Sequence, residues 1–121
     1  ISVINAKSLG SAKKIAFSIA NSPLVKTAVA GEDPNWGRII MGIGKSGEIV
    51  DIKKLKLKIG NIIVAENGRI SESYDEEKLK EYMKWDSVEI EVNLKLGNDA
   101  FKCFTCDFTH DYIDINADYR N

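Results

Sequence analysis

A chain of 121 residues is long enough for one domain with a hydrophobic core and too short for several. Apolar residues make up 44% and charged residues 29%, as in ordinary globular proteins, and no apolar run approaches the roughly 20 residues that span a bilayer. With 17 basic and 18 acidic side chains the net charge is −1, which excludes a strongly basic surface. We therefore expect one domain over residues 1–121, with neither a nucleic-acid nor a membrane partner.

The beginning of the chain predicts a strand followed by an amphipathic helix. Residues 1–5 form a β-compatible run, and the chain opens at Ile1 without Met or a signal peptide. We interpret it as a fragment or a processed subunit that begins within a strand. Residues 8–21 place apolar side chains three and four positions apart, which is the spacing of one helix face, and Ser8 or Ser11 is the candidate cap.

Two further helices are predicted in the first third of the chain. A serine–proline pair predicts the start of a helix over residues 23–31. We expect Gly31 to end it, because glycine tolerates the left-handed backbone angles found after helices. Asp33, which precedes a proline, predicts the cap of a third helix over residues 34–44. That helix is apolar almost all round, so we expect it to lie inside the protein.

The loop between these two helices carries acidic, aromatic and basic side chains, and it has two interpretations. In the first, Trp36 packs inward and Arg38 pairs with Glu32 or Asp33 next to a helix start, where a carboxylate is stabilised. In the second, the same side chains lie at the rim of a ligand pocket or in a subunit contact.

The middle of the chain predicts two strands joined by tight turns. Residues 52–59 alternate apolar side chains with lysine, which is typical of a half-exposed antiparallel strand. We interpret the lysine row as a solvated strand face, with an anion site as the alternative. A turn at residues 60–61 leads into a strand over residues 62–65, and a second turn follows at residues 67–68.

The last third predicts both strands and helices. A polar helix over residues 75–84 precedes the clearest strand, residues 87–96, in which apolar and polar side chains alternate. The Gly-Asn pair at residues 97–98 predicts a hairpin into a returning strand over residues 99–108, and residues 109–119 predict a final short helix. Together the elements predict an α/β (layered α+β) fold, with helices packed on a mainly antiparallel sheet.

Cys103 and Cys106 form a Cys-x-x-Cys pattern, for which a redox pair and half of a zinc site are two interpretations. The chain has no second cysteine pair, and its single histidine, His110, lies four residues beyond Cys106. In a strand, residues three positions apart point to opposite faces. We therefore expect two reduced structural thiols, which fits a reducing cytoplasm.

Residues 18–38, which contain the acidic and aromatic loop, and residues 115–121 at the end of the chain closely resemble segments of the ornithine acetyltransferase family of arginine biosynthesis. Its members are also called bifunctional glutamate N-acetyltransferases. Residues 18–38 read SIANSPLVKTAVAGEDPNWGR, which is similar to a signature of that family. Residues 115–121 read INADYRN and are similar to the family's C-terminus. The resemblance covers essentially all of the chain but only part of the family's protein, which is several hundred residues long.

The resemblance implies a fold and a chain organisation. The fold would be the C-terminal part of the ornithine acetyltransferase/DmpA-like fold. Family members are made as a precursor that cuts itself before a threonine, which becomes the first residue of the β chain and attacks the acetyl donor. This chain would be the C-terminal portion of the β chain, without that nucleophile or the oxyanion donors. The expected partners are the α chain and the remainder of the β chain, in a cytoplasmic α2β2 heterotetramer.

The resemblance also implies an activity and two substrate-binding residues. The complete enzyme would transfer an acetyl group from N-acetylornithine, and in a variant of the class also from acetyl-CoA, to glutamate without a cofactor or a metal. The asparagine of the C-terminal motif, here Asn116, and the final residue, here Asn121, would bind substrate. The family usually ends in Ser or Thr, so Asn121 departs from the pattern, although an amide still donates and accepts hydrogen bonds.

The residues alone point to no catalytic group in this chain. One histidine without a defined partner predicts no Ser-His-Asp or Cys-His site, and no glycine-rich phosphate loop is present. Apart from the resemblance, Asn116 is an ordinary polar residue near a helix end. The alternative hypothesis is therefore a non-catalytic binding or interaction domain.

Overall fold

Six strands form one sheet within residues 1–119, the part of the chain that the computed structural model describes. Their order across the sheet is β4-β3-β2-β5-β1-β6, and of these neighbours only β1 and β5 run parallel. The predicted mainly antiparallel sheet is thereby confirmed. In chain order the strands are β1 (Ser2–Ala6), β2 (Lys56–Ile59), β3 (Ile62–Glu66), β4 (Arg69–Ile70), β5 (Ile90–Asn93) and β6 (Asp99–Lys102).

Five helices accompany the sheet in the described residues, close to where the sequence predicts them. They are α1 (Leu9–Ala20), α2 (Pro23–Ala30), α3 (Trp36–Gly44), α4 (Glu76–Tyr82) and α5 (His110–Ala117). Helix α1 packs on β1 and β6, and it also contacts α3, which in turn contacts α2. Helices α1, α2, α4 and α5 are capped by Ser8, Ser22, Asp75 and Thr109, whose side chains each accept a hydrogen bond from a main-chain N–H of the first turn.

The core lies on one face of the sheet. Val92 stands opposite Val3 on one side and Leu57 on the other, and all three side chains are fully buried. Ile15 and Ile19 of α1 belong to the same buried cluster. This layer of apolar contacts is the main stabilising element of the fold.

The other face of the sheet is polar. Because strand side chains alternate between faces, Ser2, Glu91 and Lys58 occupy neighbouring register positions there, and all are only half-buried. Lys58 thus lies beside an acidic residue. This arrangement supports a solvated strand face for the lysine row of β2.

Strands β2 and β5 are shorter than the alternation of their side chains predicts. β2 starts at Lys56 because residues 51–55 form a turn, in which the main-chain N–H of Lys54 donates to the Asp51 carbonyl at 2.9 Å. β5 ends at Asn93, and Lys95 adopts a φ of 55°, which extended strands do not allow. Apolar and polar side chains still alternate before the start of β2 and after the end of β5, so the pattern alone overestimates the length of each strand.

The predicted hairpin at residues 97–98 is wrong. β6 pairs with β1, not with β5, so the chain after β5 crosses the end of β1 and returns on its far side. A Cβ atom on Gly97 would collide with the carbonyl oxygen of Ala6 and lie 3.0 Å from Lys7 Cα. β6 ends at Lys102, and residues 103–109 have no regular secondary structure, whereas the sequence predicts a strand to residue 108.

The start of α3 also differs from the prediction. Asn35, not Asp33, caps the helix, since its Oδ1 accepts from the main-chain N–H of Arg38 at 3.2 Å. Gly31 caps α2 with an ordinary φ of −83°, and Glu32 takes the left-handed φ of 56° instead. The turn is therefore one residue longer than the sequence suggests.

The composition of helix α3 predicts that it is enclosed on all sides, but the structure exposes one side of it. Ile39 and Ile43 are buried, but Met41 is 54% exposed. A Cβ atom on Gly42 would lie 3.3 Å from Ile19 Cα, so the glycine allows α3 to approach α1 closely. The helix forms an outer layer with one buried face.

Candidate functional site

The C-terminal helix α5 extends from the body of the protein and carries the first predicted site residue. None of its residues is buried. It is held through Phe108, whose ring stacks on Tyr112 at a centroid distance of 4.7 Å and lies 4.6 Å from Lys26 Nζ. The main-chain N–H of Phe108 also donates to the Lys26 carbonyl. Exposed apolar side chains on the helix are Tyr112, Ile113 and Ile115.

Asn116 lies in the last turn of α5 and is exposed. Its Nδ2 donates to the Tyr112 carbonyl at 2.9 Å, which fixes the orientation of the amide on the helix. Asn121, the second predicted substrate-binding residue, lies outside the described residues. The structure therefore locates one of the two residues and does not test the pairing.

A groove that the sequence did not predict lies between α2, the connection from α4 to β5, and the segment after β6. Its volume is about 430 Å³. No local pattern marks it, because its walls come from four distant parts of the chain. Its apolar lining includes Ile1, Val25, Val29, Met83, Ile90 and Cys103.

Ile1 closes one end of this groove. Its α-amine donates to the Cys103 carbonyl at 2.9 Å, and the Cys103 N–H donates back to the Ile1 carbonyl at 2.9 Å. Burial lowers the pKa of the α-amine from its ordinary value of 8.0, and nearby Lys102 acts in the same direction. This position therefore disfavours a positive charge.

The two cysteines are free and occupy different environments. Cys103 is buried, and burial raises the pKa of its thiol, so the neutral thiol predominates. Cys106 is exposed. Among residues 1–119, no group of three or more His, Cys, Asp or Glu residues could hold a metal ion.

Trp36 and Arg38, which the sequence analysis treats with the acidic loop, lie in the first turn of α3. Arg38 Nη1 donates to the Leu24 carbonyl at 2.8 Å and to Thr27 Oγ1 at 3.3 Å, so it links α3 to α2. Its expected ion pair with Glu32 or Asp33 is wrong. Trp36 packs against the core, as the first interpretation of the loop expected.

Residues 1–121, the whole chain, match the family model described as the ArgJ family. The chain belongs to the ArgJ family. It is 51% identical over all its residues to the arginine biosynthesis bifunctional protein ArgJ of Gluconobacter oxydans, and 54% identical over 110 residues to the protein of that name from Ruegeria pomeroyi. A crystal structure of the Bacillus halodurans protein ArgJ superposes with a TM-score of 0.92 at 40% identity and covers 98% of this chain.

These comparisons confirm the predicted family and the mixed α/β fold. The chain spans 28% of the length of the Gluconobacter relative and 55% of the Bacillus halodurans chain. The match therefore covers one portion of each of these longer relatives.

Among residues 1–119, no Ser, Thr or Cys side chain forms a hydrogen bond with the side chain of a histidine or a lysine. None of the described helices is long and apolar enough to cross a membrane.

Proposed function

We propose that this chain is the C-terminal part of the β chain of an ArgJ enzyme that transfers an acetyl group from N-acetylornithine to glutamate. The observation that carries the proposal is the match of all 121 residues to the ArgJ family. The relatives at 50–54% identity are named arginine biosynthesis bifunctional proteins, which agrees with a part in that pathway.

The reaction would have two acyl-transfer steps. A threonine hydroxyl outside this chain attacks the acetyl carbonyl of N-acetylornithine, a tetrahedral oxyanion forms and collapses, and ornithine leaves after its amine is protonated. The amine of glutamate then attacks the acetyl-threonine ester, so that N-acetylglutamate leaves and the threonine hydroxyl is restored. In the variant with a second donor, acetyl-CoA acylates the same threonine and coenzyme A leaves. Neither form needs a cofactor.

This chain would contribute part of the substrate pocket and of the subunit contacts. Asn116 and Asn121 would bind the substrate, and the orientation of the Asn116 amide by the Tyr112 carbonyl suits it to accept a hydrogen bond from an amine. The exposed apolar side chains of α5 suit a helix that packs against the α chain or the remainder of the β chain. The complete protein would be a cytoplasmic α2β2 heterotetramer.

The test uses the full-length gene product, incubated with N-acetylornithine and glutamate. We expect N-acetylglutamate and ornithine to form in equal amounts, and a subunit that gains the mass of one acetyl group when glutamate is omitted. The 121-residue chain should show no turnover. A full-length protein that forms neither product nor acetyl-enzyme would favour the alternative, a non-catalytic binding domain.

A further inference from the structure

The groove lies in line with the first strand of the sheet. β1 is flanked by β5 and β6, and the reciprocal pair of hydrogen bonds between Ile1 and Cys103 extends its ladder with β6 by one step. The segment before β5 and the segment after β6 both continue beyond the Ile1–Cys103 pair. Residues 83–88 line one side of the groove and residues 103–107 line the other, with Ile1 at the end. The space between the flanks therefore follows the course that β1 would take if it were longer.

On each flank of the groove, a main-chain N–H group within the described residues has no hydrogen-bond partner. In β5 the even-numbered residues bond toward β1, since Leu94 N–H donates to the Ile4 carbonyl. The odd-numbered residues bond toward β2, since the Glu89 carbonyl accepts from Gly60 N–H. By this alternation the main chain of Val88 is directed toward the line of β1. Among residues 1–119, the N–H groups of Val88 and Thr105 form no hydrogen bond.

The side chains around the groove suit an extended polypeptide better than a small charged ligand. Trp85 on one flank is 66% exposed and Phe104 on the other is 87% exposed, so an occupant would cover an aromatic side chain on each side. The charged residues at the groove have mixed signs, and within the described residues no buried side-chain polar atom lacks a hydrogen bond. Those charged residues are Lys26, Glu32, Lys84, Asp86 and Asp107.

We propose that this groove is the docking site of an extended segment from the remainder of the full-length ArgJ polypeptide, which continues β1 between its two flanks. This inference rests on family membership and on the length of the longer relatives, of which the chain spans 28%. Strand addition of this kind gains main-chain hydrogen bonds on both sides and buries the apolar floor.

The register of the added segment follows from the ladder between β1 and β6. Ser2 stands opposite Lys102 and Val3 opposite Phe101, and Ile1 bonds with Cys103. The residue immediately before Ile1 therefore stands opposite Phe104, and the residue before that stands opposite Thr105. Opposed side chains on one face are close enough for a disulfide, whereas those of the next residue point to the other face.

A disulfide test in the full-length protein uses this register. Phe104→Cys is combined with a cysteine at the position immediately before Ile1, in a Cys106→Ser background that removes the exposed thiol. We expect an oxidised cross-link between the two positions, read out by peptide mass mapping. The matched control moves the upstream cysteine one residue further from Ile1, and we expect at least about tenfold less cross-link. Equal yields at the two positions, or none at either in a folded protein, would overturn the proposal.

Hydrogen exchange of the unmodified full-length protein gives a second readout that does not depend on the variants. We expect the amides of Val88 and Thr105 to exchange at least about tenfold more slowly than free amides. Exchange at the free rate at both would overturn the proposal, and so would protection that depends on protein concentration, because that would assign the groove to a second copy. Neither test reads acetyl transfer, so an inactive enzyme with a cross-linked groove would contradict the proposed function alone.

Discussion

Gly97 lies where the chain crosses the end of β1, and any side chain there would enter the space of the main chain at Ala6 and Lys7. We expect Gly97→Ala to lower the free energy of unfolding by about 1–3 kcal/mol, because main-chain atoms give way less easily than the end of a side chain. Urea unfolding measures the effect.

Gly10→Ala is the matched control for Gly97→Ala. A Cβ atom on Gly10 meets nothing within 4 Å, and the residue lies in the first turn of α1. Alanine favours a helix over glycine by up to about 1 kcal/mol, so this variant should keep or raise stability. Equal losses in the two variants would show that the crossing at Gly97 is not tightly packed.

Asn116 is exposed, and within the described residues its side chain forms one hydrogen bond, to its own helix, so its replacement tests binding more than folding. In the complete enzyme we expect Asn116→Ala to raise the KM for N-acetylornithine about tenfold, the loss of roughly one hydrogen bond to substrate. The melting temperature should stay nearly constant. Asp114→Ala, on the same exposed helix, is the control and should leave KM unchanged; an unchanged KM in the Asn116 variant would remove that residue from the site.

The sequence predicts the hydrogen-bond partner of a side chain where that partner is a close neighbour in the chain. The capping roles of Ser8 and Ser22 depend only on a donor three residues away. The partners of Arg38 were not predictable from neighbouring residues, because they lie on the preceding helix. The groove shows the same limit: the family motif singles out Asn116 as a candidate binding residue, but no local pattern predicts the groove, whose walls come from distant parts of the chain.

At the scale of the element, the start of α3 can be tested directly. The Oδ1 of Asn35 accepts from a first-turn N–H, whereas the carboxylate of the exposed Asp33 accepts only from the Asn35 side chain, at 3.2 Å. We expect Asn35→Ala to lower the free energy of unfolding by about 1 kcal/mol. Asp33→Ala should cost less than about half of that, since exposed pairs contribute little. Chemical unfolding of both variants measures the difference, and the reverse order would restore Asp33 as the cap.

The helices were predicted more accurately than the strands, and the reason is physical. Helix contacts are local, so apolar spacing and a cap define both the element and its start. Strand pairing is between distant residues, so the alternation in residues 87–96 predicts a strand but not its neighbours. β1 separates β5 from β6, and neither the Gly97 turn nor the side-chain pattern carries that information.

For the whole molecule, in the chain with a free N-terminus, the half-buried α-amine of Ile1 makes the free energy of unfolding depend on pH. Its pKa is lowered in the folded state by burial, so between that value and 8.0 the unfolded state binds a proton that the folded state does not. We expect stability to rise as the pH increases through this window. Acetylation keeps the N–H that bonds to Cys103 and removes the charge, so it should abolish this part of the pH dependence. Urea midpoints of both forms across the neutral range measure it, and identical slopes would contradict the expectation.

The position of β1 between β5 and β6 ties folding to the order of synthesis. The ribosome makes β1 before the helices, yet both strands that flank it come from the last third of the chain. At about 5–20 residues per second, the nascent β1 waits for several seconds with its main-chain groups paired only to water. The sheet closes when residue 102 has emerged, so a stalled or truncated product that stops before β5 exposes an unpaired apolar strand to aggregation.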